Sequence, residues 1–223
     1  MIIPLSYPLT SESPLYPGTP EPVIFSEKDI ARGDTATTST FTVHSHSGTH
    51  IDAPRHFYRD GASLTCMIAY GEIIGPAYCL SVPLTGDACL LPRDICRVAE
   101  GCNDAAALLV RTGAYRDREA SPERYRREHP WVHPGVPDAL RSLCPHLRLF
   151  GIDTISVATP LHREEGRACH RAFLCERSPV LLLEDVNLGD DRLLSGVWRI
   201  HLYPFLYEPL DGVPVFACAE MIA

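Results

Sequence analysis

One segment, His44-Ser-His46-Ser-Gly48-Thr49-His50-Ile-Asp52-Ala-Pro54-Arg-His56, constrains this chain more than any other. Gly48, the β-branched Thr49 and Ile51, and Pro54 all oppose a helix. The segment is therefore not the helical arrangement in which two histidines four apart bind zinc. It runs extended or turns. His46, His50, Asp52 and His56 all fall at even positions, and side chains of one parity share a face on an extended chain.

Residues four apart on a straight strand lie about 13 Å from each other, whereas an imidazole binds a metal at about 2.0–2.1 Å. His46 and His50 can share an ion if the chain curls at Gly48. Alternatively, the ligands serve two adjacent ions about 3.5–4 Å apart, bridged by Asp52. The two-ion arrangement is favoured, with the curl present as well. A lone histidine in a β-rich protein is more often a surface group or a hydrogen-bonded core group than a ligand. Three of them with an aspartate, punctuated by glycine and proline, point to divalent metal.

The 223 residues, 45% hydrophobic and 22% charged, are enough for one domain with a substantial core. No repeat or shift in composition marks a boundary. No run approaches the ~18–20 apolar residues of a membrane span, and the N-terminus lacks the basic patch and apolar run of a signal peptide. A cytoplasmic protein is expected. The net charge of −8 argues against a nucleic-acid partner. Nine cysteines without any C-x-x-C spacing exclude zinc-ribbon and thioredoxin patterns. Apolar neighbours, as in Tyr78-Cys79-Leu80, make them small buried hydrophobes in a reducing compartment; Cys169, beside His170, is the one to follow.

Strands are expected at 41–46 and 75–82, at the apolar runs 105–110, 147–152 and 179–183, and again around 213–219. Helices are expected over 92–100, over 121–128 with Ser121 as N-cap and Pro122 at the first position, and over 135–143. Strands outnumber helices. The order predicts a mixed, β-rich α/β domain spanning 1–223.

The motif H-x-G-T-H-x-D-A-P-x-H resembles the signature of the metal-dependent cyclase family, which includes bacterial-type kynurenine formamidase and isatin hydrolase. The resemblance extends to Leu15-Tyr-Pro-Gly18, Val110-Arg-Thr-Gly113, Gly151-Ile-Asp-Thr-Ile-Ser156, His170-Arg-Ala-Phe-Leu174 and the segment from Pro179 through Glu184 to Leu188. It thus covers nearly the whole chain in order. Departures are Thr19 after the proline-glycine turn, Pro4 ahead of Leu5-Ser6, and the segment 64–72. The resemblance implies a swivelling β/α/β-type domain, assembled as a homodimer or tetramer. It also implies His46, His50, Asp52, His170 and Glu184 as metal ligands and His56 as the proton-transfer residue. His162 lacks the pattern that follows His170 and reads as a surface histidine. Glu184, ending an apolar run, would be costly to bury unpaired, which independently favours a cationic partner.

A nitrogen and oxygen donor set suits Zn²⁺ first and Mn²⁺ second, as one ion or two. The activity implied is amide hydrolysis of a small molecule, foremost the conversion of N-formylkynurenine to kynurenine and formate in tryptophan catabolism. The alternatives are an isatin-like cyclic amide or a polyketide-type cyclisation, and last a non-enzymatic metal-binding module. A serine hydrolase is excluded, because Ser195-Gly196 lacks the preceding glycine of a nucleophile elbow. Tyr16, Phe41, Tyr58 and Trp131 are the aromatic candidates for lining a pocket.

Overall fold

The apolar runs without alternation become the centre of a sheet that is covered on both faces. In the computed structural model, which describes residues 1–68 and 71–222, the strands are β1 (Ile2–Pro4), β2 (Val23–Lys28), β3 (Thr38–Thr42), β4 (His50–Asp52), β5 (Glu72–Ser81), β6 (Cys89–Leu90), β7 (Ala107–Arg111), β8 (Trp131–Val132), β9 (Leu149–Ile152), β10 (Leu181–Glu184), β11 (Trp198–Pro204) and β12 (Gly212–Met221). The α-helices are α1 (Leu64–Met67), α2 (Pro92–Val98), α3 (Tyr115–Ala120), α4 (Pro122–Arg127), α5 (Val136–Leu143) and α6 (Arg163–Phe173). The segment 64–72 is described except for Ala69 and Tyr70, which lie outside the described residues.

The main sheet has the order β1-β12-β11-β5-β7-β9-β10-β4. Its middle strands β5, β7, β9 and β10 are parallel, and the outer ones antiparallel. β4 pairs with β10 on one side and β12 on the other. The short strand carrying His50 and Asp52 therefore closes the sheet on itself.

Alternate residues of the central strands feed two cores. Leu109, Leu149, Leu181 and Leu183 pack with Ile51 and Trp198. Leu108, Val110, Phe150 and Leu182 pack with Ile95, Leu140 and Phe173 from α2, α5 and α6. Each such leucine contributes about 1.5–3 kcal/mol by burial, so both faces hold the site's framework. The result is a mixed α/β fold with a β-rich core. Among the described residues, no helix is long and apolar enough to cross a membrane.

Three expectations need correction. The strand expected over 41–46 stops at Thr42, and residues 45–49 turn. Ser121 makes no side-chain cap; the break between α3 and α4 falls there, and Pro122 opens α4. The cysteines are all free, but Cys66 and Cys96 are exposed. The buried Cys169 thiol is raised well above its ordinary value by desolvation, which makes it unreactive. Among the elements not expected from the sequence, two bear on the framework of the site. α6 buries Gly166, Cys169, His170 and Phe173 along one stripe, and β11 alternates buried Trp198, Ile200, Leu202 and Pro204 with more exposed residues.

Candidate metal centre and its pocket

The curl at Gly48 organises the site. Gly48 has φ +62°, a left-handed conformation that glycine adopts without a Cβ penalty. The turn it makes brings His46 back onto β4, so that its Nδ1 lies 2.7 Å from Asp52 Oδ1. Only His50 and Asp52 share a face through strand alternation. His56 arrives by a second device, the short 3-10 turn Pro54–His56, which sets its ring against that of His46, tilted by 35° with centroids 4.0 Å apart.

The other two predicted residues come from distant elements. In the antiparallel pairing of β10 with β4, Glu184 lies directly opposite His50, and their side chains approach to 3.3 Å. α6 supplies His170, whose Nε2 lies 3.5 Å from Glu184 Oε1 and 3.7 Å from Asp52 Oδ2. His50 Nδ1 bonds to the Gly48 carbonyl at 2.9 Å, and His170 Nδ1 to the Gly166 carbonyl at 2.8 Å. An imidazole that donates Nδ1–H to a backbone carbonyl keeps Nε2 as the atom left to bind a metal once that nitrogen has given up its proton. Both Nε2 atoms face the carboxylates.

Among the described residues, no arginine or lysine pairs with these carboxylates. Glu184 Oε1 accepts from Val157 N at 2.7 Å and Ser156 Oγ at 3.1 Å. Asp52 Oδ2 is buried without a hydrogen-bond partner among the described residues. Burial pushes the Asp52 carboxyl up, and the adjacent His46 more than reverses it; burial likewise opposes Glu184, which hydrogen bonds from His170 and His50 hold well below the usual range. Burial would lower the histidines, but the same carboxylates raise His50 and His170, and raise His46 to about 10. Two buried carboxylates thus draw positive charge to one spot, as a divalent cation's donor set does.

His46, Asp52 and His56 form one group whose donor atoms lie within 4.8 Å of one another; His50, Asp52 and Glu184 form a second. Asp52 belongs to both, which fits a carboxylate shared between two ions. One polar residue at the site was not anticipated. Asp211 Oδ2 lies 2.8 Å from His46 Nε2 and 3.0 Å from His56 Nδ1. It immediately precedes β12, whose Gly212 pairs with Asp52. A Cβ at Gly212 would come within 2.6 Å of His46 Cε1 and 2.8 Å of the Ile51 carbonyl, so glycine there permits the approach. Although burial opposes its charge, the two imidazoles hold the Asp211 carboxyl far below its ordinary value.

The cluster floors a cavity of about 330 Å³ whose walls include Tyr16, Phe57, Ile155, Arg163 and Arg167. Tyr16 is thus the one proposed aromatic that lines it. Phe41 lies exposed on β3, Tyr58 donates to the Arg171 carbonyl, and Trp131 stacks on His162 with centroids 4.5 Å apart. His162 sits apart from the cluster, beside Asp87 at 3.4 Å.

The model of a protein family described as "putative cyclase" matches residues 3–159. A kynurenine formamidase of Geobacillus thermodenitrificans (strain NG80-2) is 27% identical over 215 residues, covering 96% of this chain and 95% of the relative. Isatin hydrolase A from Labrenzia aggregata, solved bound to benzyl benzoate, superposes with a TM-score of 0.79 at 19% identity, covering 100% of this chain and 94% of that one. A protein of Bacillus stearothermophilus described as a predicted metal-dependent hydrolase superposes with a TM-score of 0.74 at 19% identity, covering 98% of this chain and 97% of that one.

Proposed function

Because the chain belongs to the cyclase family, we propose that it is a metal-dependent amide hydrolase whose leading substrate is N-formylkynurenine, cleaved to kynurenine and formate. The observation that carries this reading is the unpartnered, buried oxygen of Asp52 between two donor groups on the floor of an open cavity. His46, His50, Asp52, His170 and Glu184 would hold the metal, Zn²⁺ first and Mn²⁺ second, as one ion or a pair. Such an ion supplies Lewis acidity, polarising a carbonyl and making bound water nucleophilic near neutral pH.

The chain's own residues do the rest. Backbone carbonyls of Gly48 and Gly166 fix the His50 and His170 rings, so the donors need little reorganisation. His56 is half-buried, and Asp211 holds its Nδ1, which orients Nε2 as the proton-carrying atom. In that pose His56 moves a proton to the departing nitrogen. Phe57, stacked on His170 with centroids 4.7 Å apart, gives the cavity an aromatic wall suited to an aryl amide. A cyclic amide such as isatin is the second reading, favoured by the similarity of the whole fold to isatin hydrolase A. We further propose a cytoplasmic homo-oligomer, a dimer or tetramer.

The test is removal of metal by chelation, reloading with Zn²⁺ or Mn²⁺, and assay of formate release from N-formylkynurenine beside ring opening of isatin. Activity lost on chelation and regained on reloading is the expected result. A metal-loaded protein that cleaves neither amide overturns the reading. His56→Ala should keep its bound metal, measured by elemental analysis, and lose about 10²–10⁴-fold in turnover; undiminished turnover would refute the role given to His56.

A further inference from the structure

The cavity is electrostatically divided. Its lining acids, Asp52 and Glu184, both lie in the cluster on the floor, whereas its wall carries two guanidinium groups, Arg163 and Arg167. Both come from α6, the helix that supplies His170. Positions 163, 167 and 170 are spaced i, i+4 and i+7, which places them on one helical face. At 1.5 Å per residue, Arg167 stands about 4.5 Å and Arg163 about 10.5 Å along the axis from His170. The face is a ladder, with a candidate metal ligand at one end and positive charge at the other.

The arginines have different engagements. Arg167 Nη1 already meets Glu164 Oε1 at 2.6 Å. Arg163, an exposed residue of the cavity wall, makes no ion pair among the described residues. A guanidinium is the group best shaped to take a carboxylate through two parallel hydrogen bonds.

We propose that Arg163, supported by Arg167, is a specificity determinant that receives a carboxylate on the substrate's side chain, one to two helical turns from the bond that is cut. This rests on the amide-hydrolase reading and narrows it to anionic amides: aryl amides with an acidic side chain fit both ends of the ladder. Isatin has no ionised group to offer Arg163. The preference for a carboxylate thus separates the two substrate classes that the fold alone leaves together.

The test uses zinc-loaded protein and two matched pairs of compounds. The binding pair is ortho-aminobenzoylpropionate and its carboxamide, which have no amide at the reacting position and are read by calorimetry. The kinetic pair is the N-formyl derivatives of the same two molecules, read as KM. In the wild type the carboxylate should bind about ten-fold or more tightly than the carboxamide, and its KM should rise with added salt because the arginines are partly exposed. In the double variant Arg163→Met, Arg167→Met, the ratio within each pair should fall to about two or less. Arg163→Lys should keep an intermediate ratio. Equal binding of both compounds by the wild type, or a preference that survives in the double variant, overturns the proposal. Preference without any hydrolysis would sink the hydrolase reading and leave the carboxylate site standing; hydrolysis without preference would do the reverse.

Discussion

Glu184 and Asp185 are neighbours in sequence, both nearly inaccessible to solvent, yet the fold treats them oppositely. Asp185 receives a cation from the protein itself. Arg118 Nε and Nη2 donate to its two oxygens at 2.7 and 2.8 Å, and Tyr125 Oη adds a third bond at 2.6 Å. Tyr7 lies under the same guanidinium, 3.8 Å from ring centroid to carbon. Asp185 is also the one non-glycine with positive φ among the described residues, at 52°, a conformation that aspartate tolerates better than most residues. That reversal points consecutive side chains into different compartments. Glu184, by contrast, meets two neutral donors and two imidazoles, and shares its compartment with Asp52. The structural carboxylate comes with a permanent counter-charge; the pair at the pocket floor meets only imidazoles, groups able to exchange a proton for a metal ion.

The most severe way to break this contrast is Asp52→Asn. Removing the carboxylate common to both donor groups should abolish tight Zn²⁺ binding and reduce turnover by at least about 10³-fold, about 4 kcal/mol of transition-state stabilisation. Without metal, the same change relieves repulsion from Glu184 but also removes the stronger attraction of His46, which holds the Asp52 carboxyl below its usual range. The metal-free variant should therefore be less stable than metal-free wild type near neutral pH. Thermal melts with and without Zn²⁺, beside elemental analysis, measure both halves. The wild type should gain about 2.7 kcal/mol at a hundred times its dissociation constant, and the variant nothing. A variant that still gains that stability removes Asp52 from the site.

The next effect falls on the other side of the comparison. Arg118→Met strands Asp185 without its cation and should cost about 3–5 kcal/mol in urea denaturation, with or without metal. Because Thr49 Oγ1 donates to the Asp185 carbonyl at 2.7 Å and Thr49 precedes His50, the variant should also loosen metal binding. A loss below about 1 kcal/mol would show that the two carboxylates are not supported differently after all.

The contrast also explains what could be read from the sequence. The segment 44–56 was legible because metal chemistry demands rare residue types, and here they lie within a short stretch whose glycine and proline exclude a helix. The curl at Gly48 was one of the two options the spacing allowed, but the strand expected through His46 lost to the turn. The apolar runs of β7, β9 and β10 announced their burial on two faces. Asp211 was illegible. Its role arises from closure of the sheet, which sets β12 beside β4 across 165 residues from His46, and nothing near Asp211 in sequence distinguishes it from a turn aspartate. α6 was hidden because its buried stripe contains glycine, cysteine and histidine in place of leucine and isoleucine. β11 carried ordinary alternation from Trp198 to Pro204 and was readable in principle. Arg118 and Asp185 were invisible as a pair, since each alone looks like a surface charge.

The smallest of these effects sharpens the comparison with a third solution to burying an ionisable group. His129 is 2% exposed. Its Nδ1 bonds the Pro130 carbonyl at 2.9 Å, and its Nε2 has no partner among the described residues. It has neither an internal counter-charge, as Asp185 does, nor a share in a site that recruits one. Burial therefore keeps it neutral, lowering its pKa from 6.5 to about 4 in spite of the Pro130 bond and the field of Glu184. The unfolded chain takes up a proton near pH 6.5 that the folded chain refuses until about pH 4. Stability from this group is complete above the higher value and declines as pH falls through that window, by about 3 kcal/mol at most. Urea denaturation of the metal-free protein between pH 7.5 and pH 4.5 reads the slope, and His129→Phe supplies the reference, because a ring that cannot protonate removes this contribution and leaves those of the carboxylates. The wild type should lose stability more steeply than the variant as the solution is acidified. Parallel slopes would mean that the imidazole finds a proton acceptor inside the fold, and would place His129 with Asp185 among the groups whose charge the protein satisfies for itself.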